Sequence, residues 1–85
     1  MYRIEFRRKA AKELGRLDPQ DQRRIARAID QLSKNPRPPG SRQLRNRDGW
    51  RIRVGPHRIL YAIEDDRLSV LVVKIGHRRE VYRQD

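Results

Sequence analysis

The chain has 85 residues and is strongly basic, with 22 Lys and Arg against 11 Asp and Glu and a formal net charge of +11. A chain of this length has room for one domain with a thin core, so we expect residues 1–85 to form a single domain. It contains no cysteine, which excludes disulfides and thiolate metal sites. It shows neither the apolar core of a signal peptide nor a membrane-spanning segment, and we expect a cytoplasmic protein with a polyanionic partner such as nucleic acid.

The first 36 residues follow the pattern of one strand and two helices. Apolar and charged residues alternate over Tyr2–Phe6, which predicts a half-buried strand. Apolar residues then recur at helical spacing and predict a helix over about Arg8–Leu17. The Asp18–Pro19 pair is typical of an N-cap followed by the first residue of a second helix. We expect that helix to end near Asn35, because Pro36 disfavours helical geometry in the residue before it.

The second half of the chain is rich in strand patterns. Residues 37–49 form a basic connection with little apolar content, which we expect to be exposed. Gly55–Pro56 and Asp65–Asp66 are typical turn pairs. The segments between and beside these turns predict three strands: Trp50–Val54, Ile59–Ile63 and Leu68–Ile75.

These elements predict an α+β fold with the order β-α-α-β-β-β, a small antiparallel sheet and an N-terminal helix hairpin packed on one face. If both turns have two residues, Arg53 faces Arg58 in the first hairpin, while Ile63 faces Leu68 in the second. One face of the sheet is then apolar and would carry the helices. Its predicted members are Trp50, Ile52, Val54, Ile59, Tyr61, Ile63, Leu68, Val70 and Val72.

The same register brings Arg51, Arg53 and Arg58 together on the opposite face. Like charges on directly opposed strand residues cost stability, and an anionic ligand would relieve their repulsion. An ordinary solvated face with splayed arginines is the alternative explanation. The prediction depends on turn length, because a slip of one residue moves every side chain to the other face.

Three segments together resemble the RelE/ParE toxin superfamily, and within it the RelE branch. They are WRIRVGPHRILY at Trp50–Tyr61, VKIGHR at Val73–Arg78 and EVY at Glu80–Tyr82. The opening strand, the two helices and the exit from the second helix at Leu32–Pro36 extend the resemblance over nearly the whole chain. The resemblance implies a toxin that cleaves mRNA, commonly in the ribosomal A site, without a metal or other cofactor, and that is held inactive by an antitoxin.

The resemblance also implies which residues act. By motif, the catalytic set of this chain would be Arg51, Arg53, Arg58, Arg78 and Tyr82. Arg58 and Arg78 would hold the scissile phosphate and stabilise the transition state, while Tyr82 would stack on a base and orient the 2′-hydroxyl. Arg51 and Arg53, with Arg45 and Arg47 of the basic connection, would bind the RNA backbone.

The general base is left open by the sequence. The best-known family member has lysines where this chain has Arg51 and Arg53, and an arginine is effectively always protonated. His77 is a candidate acid or base because of its intrinsic pKa, although the favoured interpretation is a surface histidine whose side chain points away from that of Arg78. Several arginines could also act without a dedicated base, by positioning and charge stabilisation.

Two other functions remain open. One is a gyrase-inhibiting toxin of the ParE branch, and the other is a non-enzymatic basic module that binds RNA or the ribosome. For the toxin, the resemblance implies a cognate antitoxin, acidic where it meets the arginines, through which the pair would bind operator DNA.

Overall fold

A computed structural model of the chain describes residues 1–45 and 48–77. The elements follow the order β-α-α-β-β-β-β. They are β1 (Arg3–Phe6), α1 (Arg8–Gly15), α2 (Pro19–Lys34), β2 (Arg42–Gln43), β3 (Trp50–Val54), β4 (His57–Glu64), a 3-10 turn (Asp65–Arg67) and β5 (Ser69–His77).

Both predicted helices are confirmed, within two residues at their ends. Asp18 is the N-cap of α2 and Pro19 its first residue, where the missing N–H of proline is not needed. At the other end the backbone N–H of Asn35 donates to Gln31, and the chain then becomes extended before Pro36. Neither helix of the described residues has the length and apolarity needed to cross a membrane.

The α+β class and the placement of the helices on one face of the sheet are confirmed, but the strand arrangement is richer than predicted. The five strands lie in the order β1-β5-β4-β3-β2. The sheet is mixed, because β1 pairs in parallel with β5, whereas the sequence predicted an antiparallel sheet. No hairpin turn joins these two strands, so nothing local in the sequence sets their relative direction.

The first hairpin has the predicted register. Arg53 pairs with Arg58 and Ile52 with Ile59 across β3 and β4. The turn between them is a two-residue turn in which Gly55 has φ of 60°. A positive φ at the first central position followed by a residue with the fixed negative φ of proline is typical of a type II′ turn, whose twist matches that of the strands.

The second hairpin has a longer turn than predicted. The chain passes through the 3-10 turn and then through Leu68, which adopts the left-handed conformation with φ of 49°. Ile63 therefore pairs with Val70 and not with Leu68. The prediction that Leu68 lies on the buried face is wrong, since its side chain is 51% exposed. A shift of two residues preserves the alternation of side chains, so Val70 and Val72 still face the helices.

An irregularity in the pairing of β4 with β5 adds a core residue. Leu60 pairs with Lys74, whereas the next residue, Tyr61, pairs with Val72. Val73 is thus the extra residue of a β-bulge, which reverses the alternation along β5. Ile75 consequently points toward the helices and is 1% exposed.

The core lies between the two helices and the inner face of the sheet, which we define as the face that carries Ile59 and Tyr61. The opposite face is called the outer face below. The buried core residues are Ala10, Ile25, Ile29, Leu32, Ile59, Tyr61, Val70, Val72 and Ile75.

Candidate nucleic-acid interface

Four arginines converge on the outer face of the sheet. They line a cleft of about 290 Å³ together with the backbone of Gly40. Arg53 and Arg58 are cross-strand partners on β3 and β4, and Arg51 comes two residues before Arg53 on the same face. The fourth member is Arg42 of β2. None of the five described residues that line this cleft is acidic, so they concentrate positive charge and suit a phosphate or another oxyanion. We call Arg42, Arg51, Arg53 and Arg58 the arginine cluster.

Arg42 is a member of the arginine cluster that the sequence analysis missed. It lies in the segment predicted to be an exposed connection, where two residues form β2 at the edge of the sheet. Arg42 pairs directly with Arg51, so its side chain falls on the same face. A two-residue strand carries too little alternation to be recognised from sequence, and only its pairing with β3 reveals it.

The remaining predicted site residues fall outside this cleft or outside the described residues. Arg45 is exposed at the bend after β2 and does not line the cleft. Arg47, Arg78 and Tyr82 lie outside the described residues. Their membership of the site therefore stays a prediction.

His77 lies on the inner face, away from the arginine cluster. It ends β5 and pairs with His57, the first residue of β4. The two rings meet edge to face with centroids 6.3 Å apart. Because neighbouring strand residues point to opposite faces, Arg58 and Gly76 take the outer face where His57 and His77 take the inner one. This placement does not bring His77 to the cleft as an acid or base.

The histidine pair lines a second basic groove, of about 870 Å³, between α1 and the end of the sheet. Helix α1 supplies Arg8, Lys9 and Lys12 to it, and Arg16 follows directly after the helix. Glu13 also lines the groove, where a side-chain oxygen accepts a 2.9 Å hydrogen bond from the backbone N–H of Ile75. Among residues 1–45 and 48–77 there is no group of three or more His, Cys, Asp or Glu side chains that could hold a metal ion.

Hydrogen bonds among the side chains of Tyr2, Arg37 and Asp65, called the clasp below, hold the loop that carries one wall of the cleft. The guanidinium of Arg37 donates two hydrogen bonds to the Asp65 carboxylate, at 2.9 and 3.2 Å, and stacks 5.3 Å from the ring centroid of Trp50. The Tyr2 hydroxyl donates to the same carboxylate at 2.7 Å. Nearby, the buried Tyr61 hydroxyl donates to the carbonyl of Pro36 at 2.8 Å, and burial raises the pKa of this phenol. These contacts fix the start of the segment that leads to Gly40 and Arg42.

The clasp predicts a pH-dependent contribution to stability. The hydrogen bonds from Arg37 and Tyr2 hold the pKa of Asp65 below its usual value. The stabilisation is then complete above the pKa that this carboxyl has in the unfolded chain, and it is lost as pH falls through the lower pKa of the folded state. We expect Asp65→Asn to lower the Tm at pH 7 in low salt, with a difference that vanishes in strong acid. The effect will be modest because the groups are exposed and screened.

Thermal unfolding between pH 7 and pH 2 measures this effect. The matched control is Asp66→Asn, which makes the same change at the next residue of the turn. A Tm difference between wild type and Asp65→Asn that stays constant across this range would show that the carboxylate charge does not hold the clasp.

Comparison with known proteins agrees with the fold. Residues 4–82 match the family described as the ParE toxin of the type II toxin–antitoxin system parDE. The toxin RelG of Mycobacterium tuberculosis is 29% identical over 85 residues, covering 98% of each chain. A putative RelE-like toxin protein of Escherichia coli is 30% identical over 79 residues, covering 91% of this chain and 83% of the relative.

A solved structure is also similar over nearly the full length. A chain of the toxin–antitoxin complex RelBE2 from Mycobacterium tuberculosis superposes with a TM-score of 0.79 at 28% identity, covering 91% of this chain and 98% of that one. The two helices and five-stranded mixed sheet of this chain form a fold that it shares with solved RelE structures. The chain belongs to the RelE/ParE superfamily of type II toxin–antitoxin toxins.

Proposed function

We propose that this chain is an endoribonuclease toxin that cleaves mRNA, in the manner of the RelE branch and in the ribosomal A site. The observation that supports this proposal is the arginine cluster, which offers several guanidinium forks to one phosphodiester. A sheet face selected only for stability would separate like charges, and here Arg53 stands directly opposite Arg58. The place of action would be the cytoplasm, where mRNA meets the ribosome.

The proposed reaction is an internal transesterification. The 2′-oxygen of the RNA attacks the adjacent phosphorus, the new P–O2′ bond forms and the P–O5′ bond breaks. The 2′-hydroxyl proton is released and the leaving 5′-oxygen takes up a proton, so the products are a 2′,3′-cyclic phosphate and a 5′-hydroxyl. Negative charge grows on the phosphoryl oxygens during this step, and guanidiniums already in place stabilise it without reorganising.

Within this proposal, Arg58 holds the scissile phosphate, the role that the family resemblance implies, and Arg53 lies directly opposite it in the cleft. Arg51, Arg53 and Arg42 bind the flanking backbone. Arg78 and Tyr82 keep the roles that the family resemblance implies, in phosphate binding and base stacking. His77 is not assigned as the base, since its ring lies on the inner face with His57.

Programmed ribosomes provide the direct test. The purified chain is incubated with mRNA alone and with mRNA on ribosomes, and the cut ends are mapped by primer extension and tested for cyclic phosphate. Cleavage in the A site supports the full proposal, and cleavage of free RNA supports a ribosome-independent form of it. Intact transcripts under both conditions would contradict it and would leave a gyrase-directed toxin or a basic binding module.

A gyrase-directed toxin is the second candidate, and the match to the ParE family description is the observation that favours it. It predicts inhibited supercoiling and DNA cleavage by gyrase in the presence of the chain, with no effect on mRNA. Assays of gyrase supercoiling and of mRNA cleavage on the same preparation distinguish the two candidates.

The proposed partner is a cognate antitoxin, since the similar mycobacterial structure is a toxin–antitoxin complex. Charge complementarity predicts an acidic segment where it covers the arginine cluster. Binding to operator DNA would occur only through the antitoxin in the complex.

The Arg42→Ala variant tests whether the fourth arginine contacts the backbone of bound RNA. Removing one phosphate contact to a single strand should make the negative slope of log affinity against log salt shallower by about 0.7. It should also weaken binding of all sequences similarly. Anisotropy titrations with a labelled single-stranded RNA at four salt concentrations measure both quantities. The matched control is Arg23→Ala on the exposed surface of α2, which should leave the slope unchanged. Equal slopes in wild type and Arg42→Ala would remove Arg42 from the interface.

A further inference from the structure

A second pocket opens on the outer face, next to the arginine cluster. It encloses about 380 Å³, within the range typical of small-ligand sites. Leu60 forms part of its floor and is the cross-strand partner of Arg51. The floor therefore begins directly beside the arginine cluster, on the same face of the sheet. Two residues along a strand cover about 6.7 Å, which is a separation that one nucleotide can span. Pocket and cluster are therefore neighbours on the outer face.

Among the residues that the structure describes, the pocket combines an apolar floor with one carboxylate. Its apolar lining comes from Leu44, Leu60, Ala62 and Val73. Gly49 lets its walls approach closely, since a Cβ there would lie 3.1 Å from Leu44 and its φ is 132°. The backbone N–H of Leu44 donates to the carbonyl of Gly49 at 3.0 Å and closes this wall. Arg7, Lys9 and Lys74 also contribute to the lining, so a polyanion can approach.

Asp48 supplies the carboxylate, and it also lines the pocket. Within the part of the chain that the structure describes, no hydrogen bond or ion pair engages this carboxylate. In a chain with a net charge of +11, an acid at the edge of a phosphate-binding face weakens phosphate binding. Its position is better explained by recognition of a hydrogen-bond donor on a bound group.

We propose that this pocket is a nucleobase subsite of the RNA-binding face and that Asp48 makes it selective for guanine. The proposal rests on the proposed function in that the ligand is RNA. The apolar lining accepts the flat face of a base, and the arginine cluster holds the adjoining phosphate. Bases of single-stranded RNA are read by their edges in this way.

Guanine follows from the chemistry of a carboxylate. Its Watson–Crick edge presents the N1–H and the N2 amino group side by side, and these two donors match two carboxylate oxygens in a charge-assisted pair. Adenine and cytosine place a single amino group beside a ring-nitrogen acceptor. Uracil places one N–H between two carbonyl oxygens, which would repel the carboxylate.

The alternative occupant is an apolar side chain of an antitoxin. An antitoxin segment that is acidic toward the arginine cluster would bring its negative charge near Asp48. Charge complementarity therefore favours a base with donors over an acidic peptide.

Binding of short RNAs tests the proposal without requiring cleavage. The probes are 5′-fluorescein heptaribonucleotides of uridine with G, A, C or U at the central position, and anisotropy gives their affinities. We expect the wild-type chain to bind the G probe at least about tenfold tighter than the others, as one bidentate base contact provides. Asp48→Asn should bring the G probe to within about twofold of the others, with affinity for the all-U probe no lower than in wild type.

Two further variants complete the design. Asp66 is an exposed acid of the 3-10 turn outside the pocket, so the Asp66→Asn variant should keep the G preference. Ala62→Trp fills the pocket floor from a half-buried strand position and should abolish the G preference. Equal binding of all four probes by the wild type would overturn the proposal, and it is the result expected if the pocket accepts an antitoxin side chain and no base. A G preference retained by Asp48→Asn or Ala62→Trp would also overturn the proposal.

The same probes separate this inference from the nuclease proposal. A chain that selects G without cutting any RNA supports the base subsite and contradicts nuclease activity. A chain that cuts RNA with no preference for G in the binding assay supports nuclease activity and contradicts the base subsite.

Discussion

Replacing Arg58 with alanine is expected to lower the rate of RNA cleavage by about 10²–10³-fold, which is the usual cost of removing one preorganised donor from a developing oxyanion. Arg58 is half-buried in the middle of the sheet and lines the same cleft as Arg42, Arg51 and Arg53. Single-turnover cleavage of an mRNA fragment on ribosomes measures the rate.

The matched control for this variant is Arg67→Ala. Arg67 is exposed in the 3-10 turn at the other end of β4, where it pairs at 3.5 Å with Glu64 three residues earlier. Its replacement makes the same change in net charge and should leave the rate within about twofold, because an exposed pair contributes little. If Arg58→Ala cleaves at the wild-type rate, the cleft is not the site. If both variants lose activity equally, net charge alone explains the effect.

The largest expected effect on stability comes from Leu32→Ala in α2. Leu32 is 0% exposed in the core cluster, and deleting three carbons from such a site costs about 2–5 kcal/mol through lost burial and a residual cavity. Small domains have about 5–15 kcal/mol of total stability, so the variant should lose a large fraction of it and unfold at a clearly lower urea concentration than the wild type. Urea unfolding followed by circular dichroism gives the free energy of unfolding.

Leu68→Ala is the control, because it makes the identical chemical change at a side chain that is 51% exposed. We expect its free energy of unfolding to lie within about 0.5 kcal/mol of wild type. The pair also tests the longer turn. A two-residue turn would bury Leu68 against Ile63, and a large destabilisation by Leu68→Ala would therefore favour that register over the observed one.

The site and the core use the two faces of one sheet in opposite ways. The inner face has buried apolar residues on adjacent strands, whereas the outer face has like charges paired across β3 and β4 and across β2 and β3. Such pairs cost stability, and burial on the other face offsets that cost. A bound anion would reduce it further, which is a physical reason to expect ligand binding to raise the Tm of this chain.

Local chemistry determined the features of this protein that the sequence alone predicted correctly. Asp18–Pro19 and Pro36 delimit α2, and Gly55 followed by Pro56 specifies a two-residue turn. That turn sets the register of β3 and β4, so the proximity of Arg53 and Arg58 followed from neighbouring residues.

The tertiary structure decided what depends on distant residues. The parallel pairing of β1 with β5 joins segments over sixty residues apart, and the bulge at Val73 arises where β5 must bury both Val72 and Ile75. The recruitment of Arg42 requires β3 as a template for a strand of only two residues. Alternation and turn chemistry act over a few residues, whereas these features minimise the free energy of the whole packed sheet, so no local pattern carries them.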